Sequence, residues 1–447
     1  MGKENIEKYS ARYALLKYLV GLWHNNIFYR KIIVLGRENF STDNHIIFAP
    51  NHQNALMDAL AVLLTQKGQP VFLARADIFK RKTIADFLYF LKILPVYRIR
   101  DGFSSLKAND EIFLKTVEVL KNKNGLVILP EGDHAGFRRL RQLKKGICRV
   151  AFHADEATGF KLMIKIVPVG IEYSNYSRFR QVLSVVYGKP IEVSDFHVVY
   201  GESPEKALIE LRDRLSTEMK RVMVHIGSEE DYEAIDELRS IINGRYSDDI
   251  KLPKIFRDRI LIDKLNRLKV SEPQIYKRIC TLSLLVKKKA KDLNTSYRLL
   301  AKRRHPLGWL IVGLAGLLLT FPLYLFGNIF TLTFLAIPEL QIRKIKDLQF
   351  HSSIRFVISL ALAFIFLPVY LILSLLIFSP WWLAIIIFST ILLAGIFAWN
   401  FNILFRRIIG GFRVRKYLSN SNKDYAALKK NHDELFNLVS SLEDEER

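Results

Sequence analysis

His52 closes the run Ala49-Pro50-Asn51-His52 at the end of a predicted strand, and Asp58 follows six positions later, inside a predicted helix. An imidazole at a strand-to-helix turn, with a carboxylate one and a half turns on, is a base-and-orienter pair: Asp58 fixes the tautomer and stabilises the imidazolium once His52 has taken a proton. A polar helix cap is the plainer reading of the same two residues. Further along, Leu94-Pro95-Val96-Tyr97-Arg98 brings an arginine to a strand end, where its planar fork suits a bidentate contact with an anionic group, and Arg100 is its rival two positions on. Glu131 and Gly132 close the next strand in Leu129-Pro130-Glu131-Gly132, Lys144 follows in Leu143-Lys144-Lys145-Gly146, and Pro168 stands in Ile166-Val167-Pro168-Val169. Taken singly, each is ordinary punctuation or a solvated lysine.

The elements that must position these residues alternate. Strand-like runs are read at Ile32–Leu35, His45–Ala49, Val71–Ala74, Leu94–Ile99, Leu126–Leu129, Ile164–Val169 and Val182–Tyr187. Helical ones lie between or after them at Ala55–Thr65, Ile78–Leu91, Asp110–Lys121, Leu143–Ala154 and Pro204–Val224. Such alternation predicts an α/β layer fold over residues 32–225 with a mostly parallel or mixed sheet, and ligands then gather where strands end and helices begin.

The chain has no GxxxxGK[ST] loop, no HExxH, no GxSxG and no pair of CxxC motifs, which argues against nucleotide hydrolysis, zinc proteolysis and serine-hydrolase chemistry. Neither a cofactor nor a metal is expected. Two cysteines, Cys148 and Cys280, fit a reduced, cytosol-facing protein. The formal net charge of +23 calls for an anionic partner. Ten Lys or Arg lie between Lys277 and Arg304 against the single acid Asp292, directly before a long apolar stretch, which favours anionic membrane lipid over nucleic acid.

Residues 307–337 and 356–405 contain no Lys, Arg, Asp or Glu, as lipid-embedded segments require. Basic clusters at 302–304, 343–346 and 406–407 flank them, so the positive-inside rule predicts an even number of crossings in each stretch. The second stretch then holds two spans with a turn at Ser379-Pro380-Trp381-Trp382, and the first a hairpin of short or tilted helices broken near Gly327-Asn328, or a re-entrant pair. Before the sheet, Tyr13 to Phe28 reads as an amphipathic helix with Leu15, Leu16, Leu19, Leu22 and Trp23 on one face, suited to a membrane interface or to packing on its own domain.

In order, His52/Asp58, Arg98, Pro130-Glu131-Gly132 with Lys144-Lys145-Gly146, and Val167-Pro168-Val169 resemble the four blocks of the glycerolipid acyltransferase superfamily, the lysophosphatidate and glycerol-3-phosphate acyltransferases. The resemblance covers about residues 30 to 225. It implies that His52 is the general base and Asp58 its partner, that Arg98, Glu131, Gly132 and Lys144 bind the acceptor phosphate, and that Pro168 shapes the site. Five residues separate His52 from Asp58, a spacing that resembles the branch of yeast-type glycerol-3-phosphate acyltransferases. Asp133-His134-Ala135 stands where the family has Thr-Arg-Ser, so one phosphate-binding arginine is missing, and Arg138, Arg139 and Arg141 are its possible substitutes.

The implied reaction moves an acyl group from acyl-CoA or acyl-carrier protein to the hydroxyl of glycerol-3-phosphate or 1-acylglycerol-3-phosphate, on the route to phosphatidic acid. Acylation of a lyso-aminolipid and a non-catalytic lipid-binding protein that keeps the fold are the alternatives. The chemistry needs a base and cations but no protein nucleophile, and the donors to the thioester oxyanion are not assigned. The chain is thus expected to comprise an interfacial helix (1–31), an acyltransferase domain (32–225), a basic helical linker (226–305), transmembrane hairpins (306–408) and a cytosolic tail (409–447). The catalytic domain is expected on the cytoplasmic face of the cell membrane.

Overall fold

The computed structural model describes residues 5–41, 44–97, 104–244, 252–301 and 306–444. Two compact units divide the chain: residues 1–225 together with 345–353, and residues 226–344 together with 354–447.

The first unit follows the expected alternation. In chain order it contains α1 (Ala11–Leu22), β1 (Tyr29–Leu35), β2 (Ile46–Pro50), α2 (Leu56–Thr65), β3 (Val71–Arg75), α3 (Lys82–Phe90), β4 (Ile93–Val96), α4 (Ser104–Lys121) and β5 (Leu126–Val127). It continues with α5 (Gly146–Glu156), β6 (Lys165–Tyr173), β7 (Gln181–Tyr187), β8 (Ile191–Glu192), α6 (His197–Glu202) and α7 (Pro204–Val222). Beyond the expected elements are β8 and α6, both too short to show a period. The strands form one mixed sheet in the order β1-β7-β6-β2-β5-β3-β4, with β8 also on β6. Every residue of β2 and β7 is buried, so neither strand shows the alternation of a half-exposed one.

Register places the site. β2 runs parallel to both β5 and β6, with Phe48 opposite Val127 and Ala49 opposite Pro168. The loops after β2 and β5 therefore leave the same edge of the sheet, at the carboxyl ends of parallel strands. β6 is paired on its far side with β8 at Lys165 and Ile166 and with β7 from Val169 onward. Pro168, which has no N–H to give, sits at the switch between these two partners.

α1 packs on the sheet domain by a face other than the one its leucines suggest. Tyr13 is buried edge-on to Phe90, and the Lys17 ammonium donates to the carbonyls of Gln66 and Gly68 at 3.1 and 2.7 Å. Leu15, Tyr18, Leu19 and Leu22 remain exposed.

The second unit is helical among its described residues: α8 (Tyr232–Ile242), α9 (Lys254–Ser271), α10 (Pro273–Asp292), α11 (Tyr297–Leu300), α12 (Leu307–Ile342), α13 (His351–Ile377, whose first residues lie in the first unit), α14 (Trp381–Ser419) and α15 (Lys423–Asp444). Part of the basic run has protein partners: Arg278 pairs with Glu434, Lys287 with Glu233 and Glu237, and Lys289 with Asp424. Three segments are long and apolar enough to cross a membrane, Leu307–Ile342, Leu348–Ile377 and Trp381–Ser419.

The expected break at Gly327-Asn328 is absent. α12 is one helix of 36 residues, about 54 Å at a rise of about 1.5 Å per residue. Asn328 and Thr331 return their side chains to the helix's own carbonyls, of Tyr324 and Gly327, each at 2.8 Å, so neither polar residue needs a turn. Gly327 is instead the place where α14 comes close, because a Cβ there would stand 2.2 Å from the carbonyl oxygen of Ala394. With Gly313 against Ile408 and Gly411 against Leu310, these contacts make α12 and α14 an antiparallel pair packed through small residues.

Candidate active site

The turn after β2 is built around one buried carboxylate. Asp58, in the first turn of α2 and fully buried, accepts through Oδ2 from His52 Nδ1 at 2.9 Å and from the backbone N–H groups of Gln53 and Asn54, both at 2.7 Å. Its Oδ1 accepts from the Tyr173 hydroxyl at 2.7 Å. Four donors offset the cost of burying this group. The chain reaches this geometry through Ala55, held at φ 45°, a conformation that L-residues rarely adopt. Asn51 ties the turn to β6 by a reciprocal pair, accepting from Ile171 N at 2.6 Å and donating to Ile171 O at 3.2 Å.

This network sets the imidazole. Because Asp58 only accepts, His52 donates from Nδ1 and keeps the lone pair of Nε2 free for a proton. The His52 side chain is 16% exposed, enough for a substrate group to reach it.

The loop after β5 is locked to the first by Glu131. One carboxylate oxygen accepts from His52 N at 2.7 Å, and the other from Arg141 N at 3.2 Å and Arg141 Nε at 3.4 Å. Burial raises the Glu131 pKa, while the N–H groups of His52 and Arg141 and the Arg141 charge pull it back. Both oxygens serve the protein itself, so Glu131 acts here as a strut under His52 rather than as an open ligand. Gly132 has φ 71°, the left-handed region that favours glycine. Lys144 N donates to Pro130 O at 2.8 Å, leaving its exposed side chain beside Gly132.

The candidate substitutes for the missing arginine separate clearly. Arg138 is buried, donating from Nε to Glu172 at 2.7 Å and from a terminal nitrogen to Tyr173 O at 2.8 Å, over the Tyr176 ring. It braces β6. Arg141 is engaged by Glu131 and by the carbonyl of Asp133 but stays a third exposed, with its side chain at 34%. Arg139 lies over the Phe137 ring. Arg98 and its rival Arg100 lie outside the described residues. Pro168 is buried beside Ala49 and takes the Gly188 N–H on its carbonyl at 2.8 Å, shaping the strand under the turn.

The structure adds residues that the spacing did not single out. Tyr173 holds Asp58 from a part of β6 beyond the expected strand end. His134 has its ring 5.3 Å from that of His52, and the Phe350 ring stands edge-on to it at 4.7 Å. Cys148 is fully buried, and burial pushes its thiol up to about 12, which removes it as a nucleophile. Among the described residues no cluster of His, Cys, Asp and Glu could hold a metal ion.

Residues 31–172 match the family model described as Acyltransferase. An acyltransferase domain thus occupies this part of the chain. Glycerol-3-phosphate O-acyltransferase 1 of Saccharomyces cerevisiae is 28% identical over 174 residues, 37% of this chain and 21% of that protein. Glycerol-3-phosphate O-acyltransferase 2 of the same yeast is 27% identical over 112 residues, 25% of this chain and 15% of its own length. The chain therefore spans about a fifth or less of the curated relatives it matches. Among solved structures, the 1-acyl-sn-glycerophosphate acyltransferase PlsC from Thermotoga maritima aligns with a TM-score of 0.34 at 19% identity, over 47% of this chain and 78% of that one. The acyltransferase domain carries all the described residues singled out from the sequence, His52, Asp58, Glu131, Gly132, Lys144 and Pro168.

Proposed function

We propose that this protein is a membrane-bound O-acyltransferase that moves a fatty acyl group from acyl-CoA or acyl-carrier protein to the hydroxyl of glycerol-3-phosphate or 1-acylglycerol-3-phosphate. The observation that carries the reading is the His52–Asp58 pair, with Nδ1 committed to a buried carboxylate and Nε2 left as a base at the carboxyl edge of parallel strands. In the proposed reaction the acceptor oxygen attacks the thioester carbon as His52 Nε2 takes the hydroxyl proton. The carbon–sulfur bond then breaks, and the imidazolium returns that proton to the leaving thiolate. Asp58 stabilises the imidazolium in between. Lys144, beside Gly132, and Arg141, on Glu131, are cations of the loop after β5, and Arg98 completes the proposed phosphate-binding set.

The two yeast relatives favour glycerol-3-phosphate as acceptor. The engagement of Arg138 with Glu172 and of Arg141 with Glu131 favours the second reading, a lyso-aminolipid acceptor, because it ties up two of the substitutes for the missing arginine. The long apolar helices fit substrates and products that partition into a bilayer, and the acyltransferase domain is placed by this reading on the cytoplasmic face, where acyl thioesters are made. Full-length protein purified in detergent and given radiolabelled acyl donor with each acceptor in turn tests the reading. Transfer to a glycerol-phosphate acceptor, lost in His52→Ala, is expected. Binding of lipid with no transfer to any acceptor would assign the fold to a lipid-binding role.

A further inference from the structure

His134 lies outside the base-and-orienter pair, yet it borders the same space and is held by a segment far away in sequence. Residues 345–353, which join the apolar helices α12 and α13, belong to the first unit and reach the loop after β5. Asp347 caps the short turn Leu348–Phe350 by accepting from Gln349 N at 3.0 Å, and His351 Nε2 meets the carbonyl of Ile345 at 2.9 Å. Gln349 is seated so closely that a Cβ on Gly136 would lie 3.3 Å from its Cγ. With its amide in the orientation that satisfies both ends, Gln349 accepts from Gly136 N at 2.8 Å and donates to His134 O at 3.2 Å and to His134 Nε2 at 3.1 Å.

That last bond decides the tautomer. A ring nitrogen that accepts from an amide carries no proton, so the proton of a neutral His134 resides on Nδ1. The nearest carboxylate to Nδ1 is Asp133 Oδ1 at 3.8 Å, too long for a hydrogen bond, and that oxygen already accepts from the backbone N–H of His134 at 3.1 Å. The charged and titratable groups around the ring are His52, Asp133, Asp58 and Asp347. Burial and the nearby His52 lower the His134 pKa against the opposing pull of the aspartates, which favours the neutral ring.

We propose that His134 is a catalytic hydrogen-bond donor of this site, presenting Nδ1–H to the carbonyl oxygen of the acyl donor as negative charge develops there, and that Gln349 is the positioning residue that fixes its tautomer. The proposal rests on the acyl-transfer reading. An attacking oxygen within about 2.6 to 3.2 Å of His52 Nε2 stands about 3 to 3.5 Å from the acyl carbon in a near-attack geometry. With the two imidazole centres 5.3 Å apart, that geometry leaves room for the carbonyl oxygen to lie between His52 and His134. His134 donates a hydrogen bond and transfers no proton, so the proton still passes from the acceptor hydroxyl to His52 and on to the leaving thiolate. A neutral imidazole is a competent electrophile when its environment keeps it neutral.

The test uses the full-length protein and a wild-type preparation with measurable transfer, which separates failure of this inference from failure of the acyl-transfer reading. His134→Ala is expected to lower kcat by about 10²- to 10³-fold, with the acceptor KM nearly unchanged. His134→Asn, which keeps an N–H donor, should recover about tenfold of that loss. In Gln349→Glu the carboxylate accepts from Nε2–H and favours the imidazolium, so the kcat–pH profile should gain an ionisation that disappears in the Gln349→Glu/His134→Ala double variant. Retention of kcat within about threefold in His134→Ala, an effect confined to the acceptor KM, or a Gln349→Glu profile that superimposes on wild type would each overturn the proposal. If His134→Ala fails to fold, the His134→Asn and Gln349→Glu arms still decide it.

Discussion

Two histidines of the first unit each stand on a fully buried aspartate, His52 on Asp58 at 2.9 Å and His197 on Asp155 at 2.8 Å. By distance alone they are equivalent. They differ in which nitrogen is used and in what else holds the carboxylate. His52 commits Nδ1 and leaves Nε2 open, whereas His197 commits Nε2 and has its ring edge-on to Phe160 at 4.7 Å. Asp58 takes three further donors, while Asp155 Oδ1 is buried with no hydrogen bond among the described residues. His52 lies on a turn at the carboxyl edge of parallel strands, and the other pair joins the end of α5 to the start of α6. A short His–carboxylate contact is therefore a poor mark of a base. A committed Nδ1, an open Nε2 and a carboxylate held from several sides are better ones.

That contrast breaks most sharply on the two alanine variants. His52→Ala should lower kcat by about 10²- to 10⁴-fold with the melting temperature nearly unchanged. His197→Ala should keep kcat and lose stability instead, about 1.5 to 3 kcal/mol for a hydrogen bond to a buried charge, read as a fall in Tm of roughly 3 to 12 °C. Activity assays beside thermal melts check both, and loss of turnover in His197→Ala would erase the distinction.

The difference in how the carboxylates are held predicts a graded series. Asp58→Asn keeps the ring in place but weakens its orientation and charge stabilisation, lowering kcat by on the order of 10²-fold, and Tyr173→Phe, which removes one of four donors, by about tenfold. Equal rates in Tyr173→Phe and wild type would show that the tyrosine serves only packing.

A smaller effect concerns pH. His225 Nδ1 accepts from Leu140 N at 3.0 Å in the loop after β5, and burial, with Lys220 and Arg139 nearby, lowers its pKa to about 4. The folded value lies below the ordinary one of about 6.5, so the unfolded chain binds the extra proton. Stability from this residue is complete above about pH 6.5 and falls as the pH drops toward about 4. Thermal melts across that window should show the fall, and His225→Asn should flatten it.

The finest distinction lies in the segment 345–353. Leu348 is exposed and Lys144 stands exposed on the loop after β5, and both belong to the first unit. Single cysteines at these positions, in a background without Cys148 and Cys280, should react alike with an impermeant maleimide in sealed vesicles. Labelling of one and protection of the other would detach the segment from the site.

Much of the sheet domain was legible because its strands are short apolar runs bounded by Gly, Pro and Asn, and because His52 and Asp58 straddle a strand-to-helix junction. Tyr173 and His134 were not, for a physical reason: both act through contacts across the sequence, Tyr173 over 115 residues to Asp58 and His134 against Gln349 and Phe350 from between two apolar helices. Gly327-Asn328 is the opposite case, a local signal that tertiary packing overrides. A Gly-Asn pair is a turn signal in water, but inside an apolar helix the glycine admits Ala394 of α14 and the asparagine bonds back to its own helix.

In the proposed reaction one base, His52, directs a single transfer between two bound substrates with no acylated protein between. Initial rates with acyl-CoA and glycerol-3-phosphate varied against one another test this order of events. Direct attack predicts double-reciprocal lines that intersect, because both substrates must be bound together. Parallel lines, the mark of a ping-pong reaction through an acyl-enzyme, would contradict it.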